Sequence, residues 1–363
     1  MAVAWIGNRE SLVEHAVEQA ATLFKASRCP VFSFDTDIHG TRAAIAFAER
    51  VGAAYDHADG AALARETALF TDRGAMTVAP GEVRRRADLV IIVGELPAVH
   101  HGFVAALADT VPDLSARNAR EFFLIGNSTT PAPILGDKQK PILLSCGGAS
   151  LSAALAAIRA QCAGRQIAMP VSNFDRFANA LSEARFPVFL FSGHASDGLA
   201  LEMLQGLIAD LNLKSRASGL HLPASESGWG STLASTWMTG FPPRTGFARG
   251  FPEFDPWRFD VARMIARGEA DLHLWISAGT TRPPRKENDI WVIALAKTTQ
   301  PILGADVTIT IGEAGVDHEA VVYSSCTGTL SAVKAGAASE LPSAAAIIRA
   351  IAAHVPAAAV LPC

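Results

Sequence analysis

Short apolar runs alternate along this chain with stretches of helical periodicity. The runs span residues 30–34 (PVFSF), 87–93 (ADLVIIV), 121–125, 141–145, 187–191, 271–276, 290–294 and 305–311, and the helical stretches include residues 12–26, 40–51 and 199–211. Apolar runs of this length predict strands that are buried on both faces. Strands that alternate with helices predict parallel sheets with helical crossovers. The sequence therefore predicts an α/β fold: parallel-sheet layers with helices on both faces.

The length of the chain, 363 residues, fits two domains. We predict one discontinuous α/β domain made of residues 1–79 and 171–363, and a second α/β domain, residues 80–170, inserted into it. Residues 225–260 are rich in glycine, proline and tryptophan and carry few helix signals. They predict a long irregular segment, and such segments in compact domains are usually functional or packed against another surface.

Charge and hydropathy exclude several classes of protein. The net charge is −4 and the basic residues are not clustered into a patch, so nucleic acid is not an expected partner. No segment reaches the roughly 18 uninterrupted apolar residues of a membrane span, and the N-terminus lacks the pattern of a signal peptide. We expect a cytoplasmic protein. Half of the residues are hydrophobic, which fits either surfaces buried against partners or a merely alanine-rich composition.

The five cysteines, Cys29, Cys146, Cys162, Cys326 and Cys363, include no C-x-x-C pair. This spacing argues against sequence-local zinc and iron–sulfur sites, and a chain of this size does not need a disulfide framework. Cys146 ends a predicted strand, where α/β proteins often place chemistry. No histidine and acid are aligned to activate it, so a buried thiol is the favoured interpretation.

Several short motifs allow a functional and a structural interpretation. Residues 193–198 (GHASDG) join a strand to a helix and could hold a phosphate, but a plain turn is favoured because G-x-G-x-x-G is absent. For the adjacent His100 and His101 a structural or surface role is favoured, because neighbouring residues on a helix do not face the same way. His57 with Asp56 and Asp59 could bind a hard metal, but these are also ordinary loop residues.

Serine nucleophiles have no supporting motif. G-x-S-x-G is absent, so no nucleophile elbow is indicated at the formal candidates Ser150, Ser152, Ser192 and Ser225.

Four local patterns, in order, resemble a known family. Residues 87–102 (ADLVIIVGELPAVHHG) resemble a pattern ADxVIxWGxNPxxxHP, and residues 230–256 resemble a block W-x-T-G-(Y/F)-P followed by G-(Y/F)-P. Residues 271–279 and 305–311 resemble the later strands of the same family. The family is the B subunit of the molybdenum or tungsten formylmethanofuran dehydrogenases, and the resemblance covers residues from about 29 to about 329.

The resemblance implies molybdopterin-oxidoreductase-like α/β domains, but the residues that hold the family's metals are missing. The family binds a [4Fe–4S] cluster through four N-terminal cysteines, whereas Cys29 stands alone here. The cysteine or selenocysteine that ligates the metal would fall near Ala61 or Ala62, and residues 51–83 contain no cysteine. In addition, the N-P of the turn is Leu96-Pro97 and the final H-P is His101-Gly102. The resemblance therefore implies a fold without the iron–sulfur domain, and neither cofactor nor metal.

The chain also resembles a cofactor-less relative of this family, the B subunit of the formyltransferase/hydrolase complex of methylotrophic bacteria. There the chemistry is attributed to an amidohydrolase-like A subunit and a formyltransferase D subunit, and the C subunit is a further partner. What the resemblance implies for this chain is a non-catalytic scaffold that assembles with the A, C and D subunits in formaldehyde oxidation.

Two alternatives stay open at this point. One is a working formylmethanofuran dehydrogenase-type oxidoreductase subunit. The other is a small-molecule binding module that uses the former pterin cleft. Its vestigial cleft would be formed by Gly193, His194, Gly228, Trp229, Gly230, Trp237 and Gly240, and we expect bulky residues of the 229–237 region to fill part of it.

Overall fold

The structure, a computed structural model, describes residues 3–72, 74–115, 119–127, 135, 140–194, 196–279 and 290–356. The helices within these ranges are α1 (Val13–Ala26), α2 (Ile38–Val51), α3 (Gly60–Asp72), α4 (Pro80–Arg86), α5 (His101–Asp109), α6 (Leu151–Cys162), α7 (Phe174–Glu183), α8 (Gly198–Asn212), α9 (Glu226–Thr239), α10 (Val261–Ala266) and α11 (Ala344–Ala353). The strands are β1 (Ala4–Ile6), β2 (Arg9–Ser11), β3 (Pro30–Asp35), β4 (Ala54–His57), β5 (Leu89–Val93), β6 (Glu121–Ile125), β7 (Ile142–Leu144), β8 (Pro187–Phe191), β9 (Ser218–His221), β10 (Thr245–Gly246), β11 (Glu253–Phe254), β12 (Leu272–Ser277), β13 (Trp291–Ala296), β14 (Val307–Thr310), β15 (Ala320–Ser324) and β16 (Thr329–Val333).

Contacts between residues divide the chain into two units. Unit 1 comprises residues 1–64, 226–323 and 330–363, and unit 2 comprises residues 65–225 and 324–329. These boundaries differ from the predicted ones at 79/80 and 170/171. The physical reason is strand pairing: β8 and β9 extend the sheet of β5 and therefore belong to unit 2. The prediction had assigned both strands to the discontinuous domain.

Unit 1 is built on a nine-stranded sheet with the order β11-β10-β4-β3-β12-β13-β14-β1-β2. Its five central strands, from β4 to β14 in this order, are parallel. The edge strands β1, β2, β10 and β11 pair antiparallel. Helices α1, α2 and α11 cover one face of the sheet around Phe32, Ile276 and Ile348, and α10 contributes Val261 and Met264 to the core on the other face.

Unit 2 is built on a five-stranded sheet with the order β7-β6-β5-β8-β9, in which all strands are parallel. Helices α6, α7 and α8 pack on one face, and α4 and α5 pack on the other. Strand β5 is fully buried, as its continuous apolar run predicts. Both units confirm the predicted α/β fold with parallel sheets.

One predicted irregular segment contains a regular helix. Residues 225–260 include α9, which the small residues of its first half had concealed. A Cβ atom on Gly228 would lie 2.8 Å from Cδ1 of Leu63, so the glycine allows the helix to pack closely. The hydroxyl of Thr232 donates to the carbonyl oxygen of Gly228 at 3.0 Å, and such bonds within the helix satisfy its polar side chains. Tertiary packing thus overrides the weak local helix propensity.

Within the described ranges, no helix combines the length and the apolar character that crossing a bilayer requires.

Candidate functional site

The sheet of unit 1 changes winding direction between β3 and β12. From β3 the chain continues to the neighbouring strand β4 on one side, whereas β12, β13 and β14 follow one another on the other side. In open α/β sheets, ligands bind at such a switch point, beyond the carboxyl ends of the strands. A cavity of about 280 Å³ lies at this place in unit 1. Its lining residues are Asp35, Thr36, Asp37, Ile38, Glu226, Ser227, Gly230, Ala278, Gly279, Glu313, Ala314, Val322 and Tyr323.

Carboxylates dominate the polar lining of this cavity. Asp35 ends β3 and Asp37 follows it, Glu226 begins α9, and Glu313 follows β14. Among the described residues that line the cavity, none is basic, although the Lys297 ammonium lies 2.9 Å from an oxygen of Glu313. The described part of the lining is therefore acidic, which favours ammonium or hydroxyl groups over phosphates.

Two of these carboxylates also support the backbone or a neighbouring side chain. An oxygen of Asp37 accepts a hydrogen bond from the Gly40 nitrogen at 2.9 Å and so caps α2. The hydroxyl of Ser227 donates to Oδ1 of Asp35 at 2.6 Å, which joins α9 to the end of β3. Burial raises the pKa of Tyr323 to about 12, with a further contribution from Glu226, so this side chain remains a neutral hydrogen-bond donor.

The predicted cluster of His57, Asp56 and Asp59 is an internal hydrogen-bond network. The backbone nitrogen of His57 donates to Oδ1 of Asp56 at 2.8 Å, and the nitrogen of Asp59 donates to Nδ1 of His57 at 3.0 Å. Arg244 forms ion pairs with Asp56 at 3.1 Å and with Asp260 at 2.8 Å. Asp56 is thus paired with an arginine, which supports the structural interpretation over a metal site.

A buried carboxylate of unit 2 occupies the place where the GHASDG motif would offer backbone groups to a phosphate. Oε1 of Glu66 accepts hydrogen bonds from the nitrogen of Gly193 at 2.7 Å and from the nitrogen of Ala224 at 2.9 Å. The ring of His221 places its Nε2 atom 3.3 Å from the same oxygen. At the start of α8, Asp197 accepts from the nitrogen of Ala200 at 2.6 Å. Protein carboxylates therefore satisfy these donors, as in a structural turn.

The other candidates of the sequence have structural positions. His100 is buried and bonds to the carbonyl oxygen of Pro223 at 2.7 Å, and His101 bonds to that of Leu96 at 3.1 Å. Ser150 caps α6, and the hydroxyl of Ser192 lies near Glu66.

The proposed cleft residues are divided between the two units. Gly230 lines the cavity in unit 1, and Gly228 and the half-buried Trp229 are its neighbours along α9. Trp237 and Gly240 lie at the far end of that helix, and 61% of the Trp237 surface is exposed. That bulky residues of the 229–237 region fill part of a cleft remains a prediction. Gly193 and His194 follow β8 in unit 2.

The side chains present do not fit the metal centres of the resembling dehydrogenases. Ala61 and Ala62 form the first turn of α3 and carry no donor atom. Burial raises the pKa of the Cys29, Cys146 and Cys162 thiols, which disfavours thiolates. In the part of the chain that the structure describes, no three histidine, cysteine or acidic side chains form a group that could hold a metal ion. The acidic cavity also disfavours an anionic pterin nucleotide.

Sequence reasoning missed Asp35, Glu226, Glu313 and Glu66. Asp35 follows a predicted strand directly, which is a usable signal, but the strand order that makes this position a switch point was unknown. Glu66 lies inside a helix that the sequence analysis had not predicted.

Known proteins share this architecture and much of the sequence. No protein-family model matches the chain. The Fhc B subunit of the formyltransferase/hydrolase complex of Methylorubrum extorquens is 31% identical over 345 residues, which cover 93% of each chain. The B subunit of a tungsten-containing formylmethanofuran dehydrogenase of Methanocaldococcus jannaschii is 23% identical over 341 residues, which cover 85% of this chain and 75% of that protein.

A solved structure agrees with this relationship. A chain in the crystal structure of the formyltransferase/hydrolase complex FhcABCD of Methylorubrum extorquens, determined with methylofuran, superposes with a TM-score of 0.87. It is 30% identical, and the match covers 96% of this chain and 98% of that chain. These similarities confirm the resemblance drawn from the motifs. The chain belongs to the B-subunit family of the formyltransferase/hydrolase complex.

Proposed function

We propose that this chain is a non-catalytic structural subunit of a formyltransferase/hydrolase complex, which releases formate from a formylated one-carbon carrier. The observation that carries the proposal is chemical. The family's fold pattern is retained while its sulfur donors are absent, since Cys29 is the only cysteine before Cys146 and alanines stand at positions 61 and 62. A molybdenum or tungsten centre of this class requires a sulfur or selenium ligand. Alanine has no lone pair to supply it.

The partners in this proposal are the A, C and D subunits of the complex, and the place of action is the cytoplasm. Support comes from the relative in Methylorubrum extorquens, which is named as a B subunit and belongs to an assembly of four kinds of subunit. In finer detail, we propose that the two units derive from molybdopterin-oxidoreductase domains. The similarity to a tungsten-containing relative supports this origin.

Co-expression with the A, C and D subunits tests the proposal. We expect a stable complex that hydrolyses the formyl carrier and contains far less than one atom of molybdenum, tungsten or iron for each copy of this chain. Elemental analysis by mass spectrometry measures the metals, and the B subunit of a formylmethanofuran dehydrogenase, prepared in the same host, shows that the host can supply them. Stoichiometric pterin-bound metal in this chain would refute the proposal, as would failure to assemble.

The cavity of unit 1 favours a second candidate function, the binding of a small molecule. Its size approaches the lower end of ligand pockets, and its acidic lining selects for a cationic or hydroxyl-rich ligand. Of the residues predicted to form the cleft, Gly230 lines this cavity, together with Asp35 and Glu226. Putrescine, as an ammonium probe, should raise the midpoint of thermal unfolding more than glycerol 3-phosphate does. An equal response to both probes, or a response retained in Asp35→Asn, would eliminate this candidate.

A further inference from the structure

A groove in unit 1 is formed by α2, α11 and the C-terminal end of α9. The groove has a volume of about 350 Å³. Its apolar floor consists of Ala43, Ala46, Phe47, Met238, Ile348 and Ala352, and its polar lining consists of His39, Arg42, Arg50 and Arg349. The residues of α2 recur at helical spacing, so one continuous face of the helix lines the groove.

Among the described residues, the polar lining of the groove carries only basic side chains, although the whole chain has 35 acidic and 31 basic residues. Arg50 donates from Nε to the carbonyl oxygen of Val355 at 2.8 Å. Among the described residues, neither Arg42 nor Arg349 has a carboxylate within ion-pair distance, and both are exposed. Arginines beside an apolar floor can bind carboxylates with two parallel hydrogen bonds each.

The floor can accept side chains from another molecule. Ala46 is exposed, and 40% of the surface of Met238 is exposed. Two large aromatic side chains lie near Met238 in the sequence: Trp237, 61% exposed, and Phe241, which stacks on Phe254 with ring centroids 6.0 Å apart. Arginine, methionine and aromatic residues are enriched in protein–protein interfaces. Small alanines in the floor let a partner backbone approach closely.

We propose that this groove binds an acidic segment of another subunit of the complex. The segment would place apolar side chains on the floor and at least two carboxylates against Arg42 and Arg349. The inference rests on the proposed function, because it requires that the chain work within an assembly. It adds the location of one contact and the chemistry of the partner surface.

Photo-crosslinking identifies what occupies the groove. The variant Ala46→p-benzoylphenylalanine is co-expressed with the A, C and D subunits, irradiated, and digested for mass spectrometry. We expect a cross-link to a peptide of one of those subunits that contains two or more aspartate or glutamate residues. A cross-link to residues 357–363 of the same chain, or to a second copy of the chain, would overturn the inference.

Charge reversal measures the contribution of the arginines. The double variant Arg42→Glu and Arg349→Glu should weaken assembly at least tenfold. The control Arg9→Glu and Arg165→Glu changes the net charge equally at exposed positions outside the groove and should assemble like the wild type. Unfolding midpoints of both variants check that the fold is retained.

The outcomes separate the two proposals. If the wild-type chain does not assemble with the other three kinds of subunit, the proposed function fails. If it assembles and the groove variant binds as tightly as the control, only the groove inference fails. Recovery of binding by a glutamate-to-arginine change in the cross-linked peptide would confirm the charge contact.

Discussion

Oε1 of Glu66 accepts a hydrogen bond from the backbone nitrogen of Gly193 at 2.7 Å, inside unit 2. Glu66 is 1% exposed, so this carboxylate depends on its hydrogen bonds for solvation. The same oxygen accepts a hydrogen bond from the nitrogen of Ala224 and lies 3.3 Å from Nε2 of His221. A side chain on α3 thus holds the loops that follow β8 and β9.

Gly193 is required for this contact, and its replacement tests it. A Cβ atom at this position would lie 2.3 Å from Cγ of Glu66, so Gly193→Ala must displace the carboxylate. We expect a loss of about 3 kcal/mol in the free energy of unfolding, measured with urea. Gly198→Ala is the matched control, because no atom lies within 4 Å of its added Cβ, and it should be neutral or slightly stabilising. Equal stability of the two variants would contradict the assigned contact.

Arg244 neutralises two acids, and its removal should have a pH-dependent cost. Burial raises the pKa of Asp56 to about 7, although Arg244 lowers it. Because this pKa lies above the ordinary value of 3.8, the folded state binds the proton more tightly, and this group's contribution to stability falls as pH rises from about 4 to about 7. Arg244→Ala should cost about 3–5 kcal/mol at pH 8, because the buried Asp56 must then either stay charged without a partner or take up a proton.

The cost of Arg244→Ala should be smaller at pH 5, where Asp56 is protonated. Adding Asp56→Asn to Arg244→Ala should recover part of the stability at pH 8, because it removes the unpaired charge. Arg249→Ala, which breaks an exposed ion pair with Glu253, should change stability by less than about 1 kcal/mol. A pH-independent cost of Arg244→Ala would refute this account.

Protonation of the buried His273 should cause a separate loss of stability on acidification. Its Nε2 lies 2.6 Å from the hydroxyl of Ser33, and burial lowers its pKa to about 4 from the ordinary 6.5. Because the folded pKa is depressed, the unfolded state binds the proton more tightly, and stability falls as pH drops from about 6.5 to about 4. Between pH 7 and 4.5 the protonation of His273 should lower the free energy of unfolding by about 2 kcal/mol.

His273→Gln removes this titration and keeps a polar side chain beside Ser33. Urea unfolding at both pH values should show that the variant loses about 2 kcal/mol less than the wild type on acidification. The exposed His354→Gln serves as control and should follow the wild type. The assignment fails if His273→Gln also follows the wild type.

Thiol reactivity should distinguish the cysteines. Cys326 is exposed, whereas burial raises the pKa of Cys29, Cys146 and Cys162, the last to about 11. In a Cys363→Ser background, DTNB should therefore modify one thiol at least ten times faster than the other three, since thiolates are the reactive form. Adding Cys326→Ser should remove the fast phase, and a persistent fast phase would contradict the assigned burial.

Strands buried in parallel sheets were the best predicted elements. β3, β5, β6, β8, β12, β13 and β14 lie within two residues of the predicted runs, because burial on both faces demands continuous apolar sequence. The edge strands β2, β10 and β11 are short, and their residues show no such run. Helix α9 escaped prediction because Gly228 and Gly230 serve close packing, which depends on residues distant in sequence.

The site was less predictable than the fold. The importance of Asp35 depends on the order β4-β3-β12, which brings residues 35 and 278 to the same edge. No local pattern encodes that order. The missing sulfur donors, in contrast, are a property of residue types alone, and the sequence predicts their absence without a structure.

The strand order of unit 1 also has a consequence during synthesis on the ribosome. β3 pairs with β12 through Phe32 and Leu274, so the centre of this sheet joins residues more than 200 positions apart in translation order. The strands of unit 2 are complete once residue 221 has emerged, whereas β14 of unit 1 ends only at Thr310. While unit 2 is completed on the nascent chain, the apolar strands β3 and β4 therefore still lack their later partners β12 and β10. During that interval the N-terminal segment is the part of the polypeptide most in need of chaperone protection.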